Sequence, residues 1–297
     1  MPACRTLWRV NASRDRAVGL EAPVVRLSGR VAIVTGASQG IGRAIAKRFA
    51  AEGCPLLLVA RSAPALADLE SELARAGSRD VVAAPGDVGD PATAAAAVHK
   101  AVDTFGRVDI LVNNAGVGLR APVARLDPAD LEEVFRTNVL GALHFVRETV
   151  PHLLRQGSGL VVNVSSIGAR QPVPYLGGYG ATKAALASLS ESLRMELDGT
   201  GVAVLTVYPG SVETGFKAHA RGEPYPERSG ARRLSPEDVA HGIVRAAELG
   251  LREVLILSRG ERLGLLAGRL APRAMERVLL RRYGGTGSGA GGRPTKA

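Results

Sequence analysis

The sequence predicts a single α/β domain built on a doubly wound parallel sheet with helices on both faces. Three observations lead to this prediction: short apolar runs rich in β-branched residues, helix-like segments between them, and glycine-rich turns after several of the runs. Continuous apolar runs are typical of strands that are covered on both faces. The 297 residues are within the range of one large domain.

The seven apolar runs are predicted to be strands, at 31–35, 56–60, 81–84, 110–112, 160–164, 203–207 and 254–257. Alanine- and leucine-rich segments long enough for crossover helices lie at 40–52, 64–76, 91–105, 128–154, 179–197 and 236–249. Asp127-Pro128 and Ser235-Pro236 each place a capping side chain before a proline at the first helical position. Strand–helix alternation of this kind requires right-handed crossovers and one sheet.

The ends of the chain differ from its body in charge. The formal net charge is +10, yet residues 27–257 hold 24 basic and 24 acidic residues, so the excess lies in residues 1–26 and 258–297. A neutral body with basic ends is a poor platform for phosphate backbones, and we expect no nucleic-acid partner. The two cysteines and five histidines have no metal-ligand or disulfide-framework spacing, so we predict no metal site.

We divide the chain into four parts. Residues 1–26 are expected to be a flexible N-terminal extension, 27–258 the folded domain, 259–283 a basic amphipathic helix broken near Pro272, and 284–297 a disordered glycine-rich tail. The N-terminal segment lacks the apolar stretch of a secretory signal, which leaves a transit peptide and a loose extension open. No run of 18 apolar residues occurs, and we expect a cytoplasmic protein. The basic helix is expected to cover the site's rim or a partner subunit, or to contact a membrane weakly.

A glycine-rich turn follows the first strand and opens the first helix, as TGASQGIG. Gly36 allows the tight turn, Gly40 lets backbone N–H groups approach a pyrophosphate, and Gly42 lets helix and strand pack closely. The helix N-terminus offers free N–H donors and partial positive charge to the anion. The predicted dinucleotide-binding residues of this loop are Gly36, Ser38, Gln39, Gly40, Ile41 and Gly42.

The end of the second strand predicts the choice of nucleotide. An acidic residue there would bind the adenosine ribose of NAD, but Arg61 occupies the position, and a guanidinium suits a 2′-phosphate. Ser62 and Arg43 are possible additional contacts. NADP(H) is therefore favoured over NAD(H), with a solvated Arg61 as the alternative. Asp87 and Val88, after the third strand, are predicted to lie near the adenine.

Tyr179 and Lys183 form a YxxxK pair on a predicted helix, where residues four apart share a face. A free tyrosine has a pKa near ~10 and is a poor base at neutral pH. An ammonium at about 4 Å, with an effective dielectric of about 20, would favour the phenolate by about 4 kcal/mol. We therefore predict that Lys183 lowers the pKa of Tyr179 and makes it a general acid/base.

Polar residues follow the other strands, at the sheet edge where a doubly wound fold binds its ligand. Ser166, with Ser165 as the alternative, could hold a substrate oxygen. Asn138 is a poor helix former within a long predicted helix, which indicates either a functional role or an exposed position. Further candidates for cofactor contacts are Asn114, Ala115, Gly116, Pro209, Gly210, Val212 and Thr214.

These motifs occur in an order and spacing that resembles the classical short-chain dehydrogenase/reductase family, from about residue 30 to 257. The resemblance implies a seven-stranded Rossmann-type sheet in the order 3-2-1-4-5-6-7 and an NAD(P)-dependent oxidoreductase acting on CH–OH groups. It implies a homodimer or homotetramer. It also implies that Tyr179 is the acid/base, Lys183 holds the nicotinamide ribose, Ser166 orients the substrate, Asn138 anchors a relay water and Thr214 meets the carboxamide.

The C-terminal end departs from one branch of that family. Bacterial acyl-carrier-protein reductases usually end with a Gly-Gly turn, whereas here the last strand runs into Ser258 and the basic helix. The chain therefore looks more like members that act on lipophilic alcohols and ketones. A 3-oxoacyl-thioester reductase and a non-catalytic NADP(H) sensor or scaffold are the alternatives. The loop after Thr214 is expected to cover the substrate, and its basic residues either bind an acidic group or are solvated: Lys217, His219, Arg221, Arg232 and Arg233.

Overall fold

The computed structural model describes residues 26–216, 220–223 and 233–283. Its strands, in chain order, are β1 Ala32–Thr35, β2 Leu56–Ala60, β3 Val81–Pro85, β4 Ile110–Asn113, β5 Leu119–Arg120, β6 Gly159–Val164, β7 Val202–Pro209, β8 Arg221–Gly222 and β9 Glu253–Ile256. Seven of them form one parallel sheet in the order β3-β2-β1-β4-β6-β7-β9. Counted among these seven, the order is 3-2-1-4-5-6-7, which confirms the predicted sheet.

The helices of the described residues, in chain order, are α1 Gly40–Ala51, α2 Ala63–Arg75, α3 Pro91–Phe105, α4 Pro128–Phe135, α5 Gly141–Gln156, α6 Gly177–Glu196, α7 Pro236–Glu248, α8 Arg259–Leu270 and α9 Pro272–Tyr283. Five of these helices, α2, α3, α4, α7 and α8, begin after a capping side chain. Asp127 accepts from the N–H of Ala129 before α4, and Ser235 forms a reciprocal capping box with Asp238 before α7, as the two Asp/Ser-Pro signals predict.

Two apolar cores lie on opposite faces of the sheet, because successive strand side chains point to opposite sides. In β1, Ala32 and Val34 belong to the core covered by α1, α2 and α7, whereas Ile33 belongs to the core covered by α3 and α5. All four residues of β1 are buried. This two-sided burial explains why the strands are continuous apolar runs rather than alternating ones.

The predicted single helix over 128–154 is wrong in its middle. A π-helical turn, Arg136–Leu140, joins α4 to α5 and contains Asn138. Turns of this type are rare and frequently occur at functional sites. The sequence prediction also missed the parallel pairing of β5 with β8, which is two residues long.

The chain ends are described in part. Residues 1–25 of the predicted N-terminal extension and the predicted tail 284–297 lie outside the described residues, as do Lys217, His219 and Arg232 of the loop after Thr214. The predicted helix over 259–283 is present as α8 and α9, which meet at Ala271 before Pro272. Within the described ranges, no helix has the length and apolar character needed to cross a membrane.

Candidate active site

A cavity of about 1370 Å³ lies at the carboxyl ends of the sheet strands. Its size exceeds that of a site for one drug-sized ligand, so it has room for a nucleotide together with a substrate. The predicted site residues line it, except Gly42 and Asn138, which are buried just behind its wall. The structure thus brings the glycine loop, Arg61 and Asp87 into one cavity with the catalytic candidates Ser166, Tyr179 and Lys183.

The glycine loop has the geometry that its spacing predicts. Gly36 and Gly40 adopt φ values of 66° and 53°, a region that residues with a Cβ atom rarely occupy. A Cβ atom on Gly42 would lie 2.1 Å from the carbonyl oxygen of Gly36 and 2.5 Å from Nδ2 of Asn114. The first turn of α1 therefore sits against the end of β1, and its N-terminal N–H groups face the cavity edge.

Thr35, which the sequence reasoning overlooked, ties this loop to the end of β4. Its hydroxyl accepts hydrogen bonds from the N–H groups of Asn114 (3.0 Å) and Ala115 (3.1 Å) and donates to the carbonyl of Val112 (3.2 Å). The side chain of Asn114 strengthens this connection, because its Nδ2 donates to the carbonyls of Thr35 and Gly36. The signal was present as the threonine before Gly36, a residue that can both donate and accept.

At the adenosine end, Arg61 is exposed and lines the cavity. The other cation considered for a 2′-phosphate, Arg43, instead pairs with Glu72, so its proposed contact is not supported. Ser62 uses its hydroxyl to cap α2 by accepting from the N–H of Ala65. Asp87 lines the cavity and accepts from the N–H of Gly89 at 2.9 Å, which holds its carboxylate at the end of β3.

Tyr179 lies in the first turn of α6, partly buried in the cavity wall. Burial raises the pKa of its phenol to about 12, and a hydrogen bond with Ser166 opposes this shift. The expected lowering of the pKa of Tyr179 by Lys183 is therefore wrong. The direction is reversed because desolvation disfavours the phenolate.

Lys183 is 3% exposed, and its Nζ atom donates to the carbonyl of Val164 at 2.8 Å. The same atom lies 6.0 Å from the centroid of the Tyr179 ring. Burial lowers the pKa of the ammonium to about 8. The lysine thus shares a face of α6 with Tyr179, as predicted, but its bond goes to the end of β6.

The two serines after β6 have separate roles. Ser165 is buried and donates to the carbonyl of Lys183 at 2.8 Å, which attaches α6 to the sheet. Ser166 lines the cavity, accepts from the N–H of Gly168 at 3.1 Å and contacts Tyr179 by a hydrogen bond. The preference for Ser166 over Ser165 is consistent with this geometry.

Asn138 is 1% exposed, and its side-chain amide forms hydrogen bonds with the backbone of Val117. Its Oδ1 accepts from the N–H of Val117 at 2.7 Å, while its Nδ2 donates to the Val117 carbonyl and to the hydroxyl of Thr182, each at 3.0 Å. Thr182 in turn donates to the carbonyl of Tyr179 at 2.8 Å. An exposed Asn138 is therefore excluded, and Thr182 is a further residue of the site that sequence reasoning missed.

The segment 209–216, after β7, closes the nicotinamide end predicted for the cavity. A Cβ atom on Gly40 would lie 3.1 Å from Cγ2 of Thr214, so this segment touches the glycine loop. Phe216 packs edge-on against the Tyr179 ring, with centroids 5.6 Å apart. The segment therefore links the glycine loop to the part of the cavity that contains Tyr179.

The hairpin of α8 and α9 forms the outer wall of the cavity, through Gly264, Met275, Val278 and Leu279. This placement agrees with a helix covering the site's rim. Of the loop cations considered for an acidic substrate, Arg221 forms ion pairs with Asp130 (2.9 Å) and Glu133 (2.5 Å), and Arg233 lines the cavity. Across the described residues, no group of three or more histidine, cysteine, aspartate or glutamate side chains is placed to hold a metal ion.

Comparisons with known proteins agree with this geometry. A family model described as short chain dehydrogenase matches residues 30–224. Ketoacyl reductase HetN of Nostoc sp. is 32% identical over 258 residues, which cover 85% of this chain and 88% of that protein.

Two solved structures are similar to this one. A short-chain dehydrogenase/reductase from Burkholderia phymatum in complex with NAD superposes with a TM-score of 0.75 and 30% identity, covering 90% of this chain and 100% of that one. An alcohol dehydrogenase from the archaeon Thermococcus sibiricus, complexed with 5-hydroxy-NADP, has a TM-score of 0.68 and 29% identity, covering 77% of this chain and 96% of that one.

The chain therefore belongs to the short-chain dehydrogenase/reductase family. It is an oxidoreductase of the class that acts on CH–OH groups. The similar structures hold either NAD or an NADP derivative, so the family admits both nucleotides.

Proposed function

We propose that the protein is an NADP(H)-dependent oxidoreductase that interconverts a lipophilic ketone or aldehyde with the corresponding alcohol, and that Tyr179 is its general acid/base. One observation carries the proposal: Tyr179, Ser166 and Lys183 line the same cavity as the glycine loop. A hydrogen-bonded phenol beside a nucleotide-sized cradle has the parts needed for proton transfer coupled to hydride transfer.

The residues of the cavity fit a dinucleotide. The positive-φ turn at Gly36 and Gly40 and the close packing at Gly42 leave space for a pyrophosphate at the N-terminus of α1. Arg61 would bind the 2′-phosphate, Asp87 and Val88 the adenine side, and Lys183 the nicotinamide ribose. The loop 209–214 and the residues after β4 would enclose the remainder, namely Asn114, Ala115, Gly116, Pro209, Gly210, Val212 and Thr214.

A bound nicotinamide would supply or accept the hydride, and the side chains of this chain would donate or accept the proton. Ser166 holds the substrate oxygen, and Tyr179 protonates that oxygen during reduction or removes its proton during oxidation. Asn138 holds the backbone at Val117 by two hydrogen bonds. We infer that it also keeps a relay water in place, as the family resemblance implies.

The electrostatics of the site favour the proton-donating role of Tyr179. Burial raises the pKa of the phenol to about 12, so the phenol is protonated at neutral pH and carries the proton that reduction requires. Oxidation of an alcohol would instead use Tyr179 as the base that takes up the proton of the substrate. The ratio of reduced to oxidised nucleotide sets the net direction of the reaction.

The substrate part of the cavity supports a lipophilic substrate, because apolar side chains dominate it. They come from the loop after β6, from the 209–216 segment and from the C-terminal hairpin, and include Ile167, Val173, Leu176, Phe216, Met275 and Leu279. A 3-oxoacyl thioester is the second candidate, favoured by the similarity to a protein named ketoacyl reductase. A panel of ketosteroids, retinal, acyl thioesters, sugars and quinones, assayed by NADPH consumption, separates the two.

Substitution of Tyr179 by phenylalanine tests the catalytic proposal. The Tyr179→Phe variant should retain nucleotide binding and lose NADPH oxidation, because only the phenol hydroxyl is removed. Tyr175→Phe, at a tyrosine outside the cavity lining, is the matched control. Equal rates in Tyr179→Phe and the parent would refute the role, and a parent that binds nucleotide but turns over no carbonyl would favour the sensor or scaffold alternative.

Reversal of the charge at Arg61 tests the nucleotide preference. Arg61→Asp should weaken NADPH binding by about tenfold or more relative to NADH, since a charge-assisted bond to phosphate is replaced by repulsion. Arg75→Asp makes the same charge change at an exposed site at the end of α2, outside the cavity lining. An unchanged NADPH/NADH ratio in Arg61→Asp would assign the selection elsewhere.

We further propose a homodimer or homotetramer in the cytoplasm. Exposed apolar side chains on the helices that carry Asn138 and Tyr179 support this assembly, namely Phe135, Leu140, Leu154, Leu189 and Met195. The C-terminal hairpin also exposes Leu263, Leu266 and Leu270 beside several arginines, which supports weak contact with an anionic membrane surface. Sedimentation of the purified protein, alone and with vesicles, tests the two proposals separately.

A further inference from the structure

The first turn of the C-terminal hairpin makes a contact that a helix cap does not require. Glu261 and Ser258 form a capping box, in which the backbone N–H of Ser258 donates to Oε2 of Glu261 at 2.9 Å. The Ser258 hydroxyl donates to the same oxygen at 2.8 Å. The other oxygen of Glu261, Oε1, points away from the helix and accepts a hydrogen bond from the backbone N–H of Ser211 at 2.6 Å. A carboxylate on α8 is thus bound to the segment that follows β7.

The fit around this carboxylate is close. A Cβ atom on Gly210 would lie 2.3 Å from Oε2 of Glu261, so only glycine leaves room for the carboxylate there. The segment is also held from its other side, because the N–H of Gly210 donates to Ile256 and Leu234 exchanges backbone bonds with Ser211 and Glu213. Glu261 therefore adds a side-chain hydrogen bond to a segment that backbone bonds also hold at Gly210, Ser211 and Glu213.

The segment leads directly to the reacting end of the cavity. Three residues after Ser211, Thr214 touches the glycine loop at Gly40, and two residues later Phe216 packs on the ring of Tyr179. The hairpin that carries Glu261 also lines the cavity, through Gly264 and Met275. One carboxylate therefore connects the wall of the substrate cavity to the segment beside the nicotinamide and the catalytic tyrosine.

We propose that Glu261 is a positioning residue, which fixes the 209–216 segment in the conformation that binds the nicotinamide end of the nucleotide. The inference rests on the proposed function for the presence of a nucleotide in this cavity. It assigns to the C-terminal hairpin a part in cofactor binding in addition to its part in the cavity wall.

Shortening the side chain separates this role from helix capping. Glu261→Asp keeps a carboxylate at the third helical position, where Asp238 already serves in the capping box of α7, but it lacks the reach to Ser211. Ser258→Ala does the opposite, since it removes the capping hydroxyl and leaves Glu261 bound to Ser211. Glu276→Asp, at an exposed position of α9, is the control for the Glu-to-Asp change.

Two measurements on the full chain decide the matter. Hydrogen exchange of the backbone amides of residues 210–216, measured without nucleotide, should be about tenfold faster in Glu261→Asp than in the parent, and near the parent rate in Ser258→Ala and Glu276→Asp. The Kd for NADPH should rise by about tenfold in Glu261→Asp alone.

Unchanged exchange in Glu261→Asp, or faster exchange with an unchanged Kd, would overturn the inference. Equal weakening of NADPH binding in Ser258→Ala would overturn it too, because capping would then account for the effect. A parent that binds no nucleotide would instead overturn the proposed function, and the exchange comparison would still decide whether Glu261 fixes the segment.

Discussion

Lys183 holds an ammonium group in the interior of the protein, and its replacement by methionine should change how stability depends on pH. The side chain is 3% exposed and its pKa falls from 10.5 to about 8 on folding. Between these two values the unfolded chain binds a proton that the folded protein does not. Stability therefore rises with pH across this window. At about 1.4 kcal/mol per tenfold change in proton affinity, the rise is about 3 kcal/mol.

At pH 7 both states are protonated, and the buried charge destabilises the folded protein by that same amount. Lys183→Met removes this penalty but leaves the carbonyl of Val164 without its donor, which costs about 1–3 kcal/mol. The absolute change at pH 7 is therefore small. The difference in the free energy of unfolding between the parent and Lys183→Met should change by about 3 kcal/mol between pH 7 and pH 10.5. The unpaired carbonyl does not affect this change, because its cost is the same at both pH values.

Urea unfolding of both proteins at several pH values between 7 and 10.5 measures this difference. Burial also raises the pKa values of Cys54 and Tyr179 to about 12, and these groups lower stability as the pH rises above 9 and 10, respectively. Their effect is common to both proteins and cancels. Lys100→Met is the control, since Lys100 also donates to a backbone carbonyl, that of Ala83, but from an exposed position. A parent–variant difference that stays constant with pH would refute the reasoning.

Three further predictions test other parts of the site. Gly42→Ala should cost about 1–3 kcal/mol of stability and abolish measurable NADPH binding, because its Cβ would collide with the Gly36 carbonyl, whereas Gly260→Ala, which meets nothing within 4 Å, should do neither in urea unfolding and titration. Asn138→Asp should lose about 2–3 kcal/mol of stability and most of the activity, since it places a carboxylate oxygen against the Val117 carbonyl. Unfolding and reaction rates equal to those of the parent would contradict a role of the Asn138–Val117 hydrogen bonds. Serine at both Leu263 and Leu270, which are 68% and 79% exposed, should reduce sedimentation with anionic vesicles. Val123→Ser, at a 72% exposed position outside the hairpin, should not, and equal sedimentation of all the proteins would exclude the hairpin as the contact.

The sequence was sufficient for the strands of the sheet and for the glycine loop after β1, because both follow local rules. Strands covered on both faces must be continuous apolar runs, and the turn at Gly36 requires a φ that glycine adopts freely. The order of the seven strands came from the family resemblance, and the structure confirms it. The short β5–β8 pair was missed, since two residues at each position carry no periodicity.

The features that were missed or wrong depend on distances that a sequence does not contain. The lowering of the Tyr179 pKa was argued from an assumed distance of about 4 Å. The ammonium of Lys183 instead bonds to Val164, and burial dominates both pKa values. Likewise, a glutamate three residues after a serine predicts a capping box, but its second bond joins residues fifty positions apart, Ser211 and Glu261.

The π-helical turn at Arg136–Leu140 shows how a local irregularity and a functional group depend on each other. In a regular helix through this stretch, Asn138 would be a poor helix former without contacts that offset its low helix propensity. The wider turn is accompanied by an amide that satisfies both polar groups of the Val117 backbone and the hydroxyl of Thr182. Thr182 then bonds to the carbonyl of Tyr179. These hydrogen bonds thus offset the energetic cost of the irregular turn and hold the loop after β4 against α6, the helix that carries Tyr179. A substitution that restores a regular helix at Asn138 should therefore loosen the position of Tyr179, the residue proposed as the acid/base.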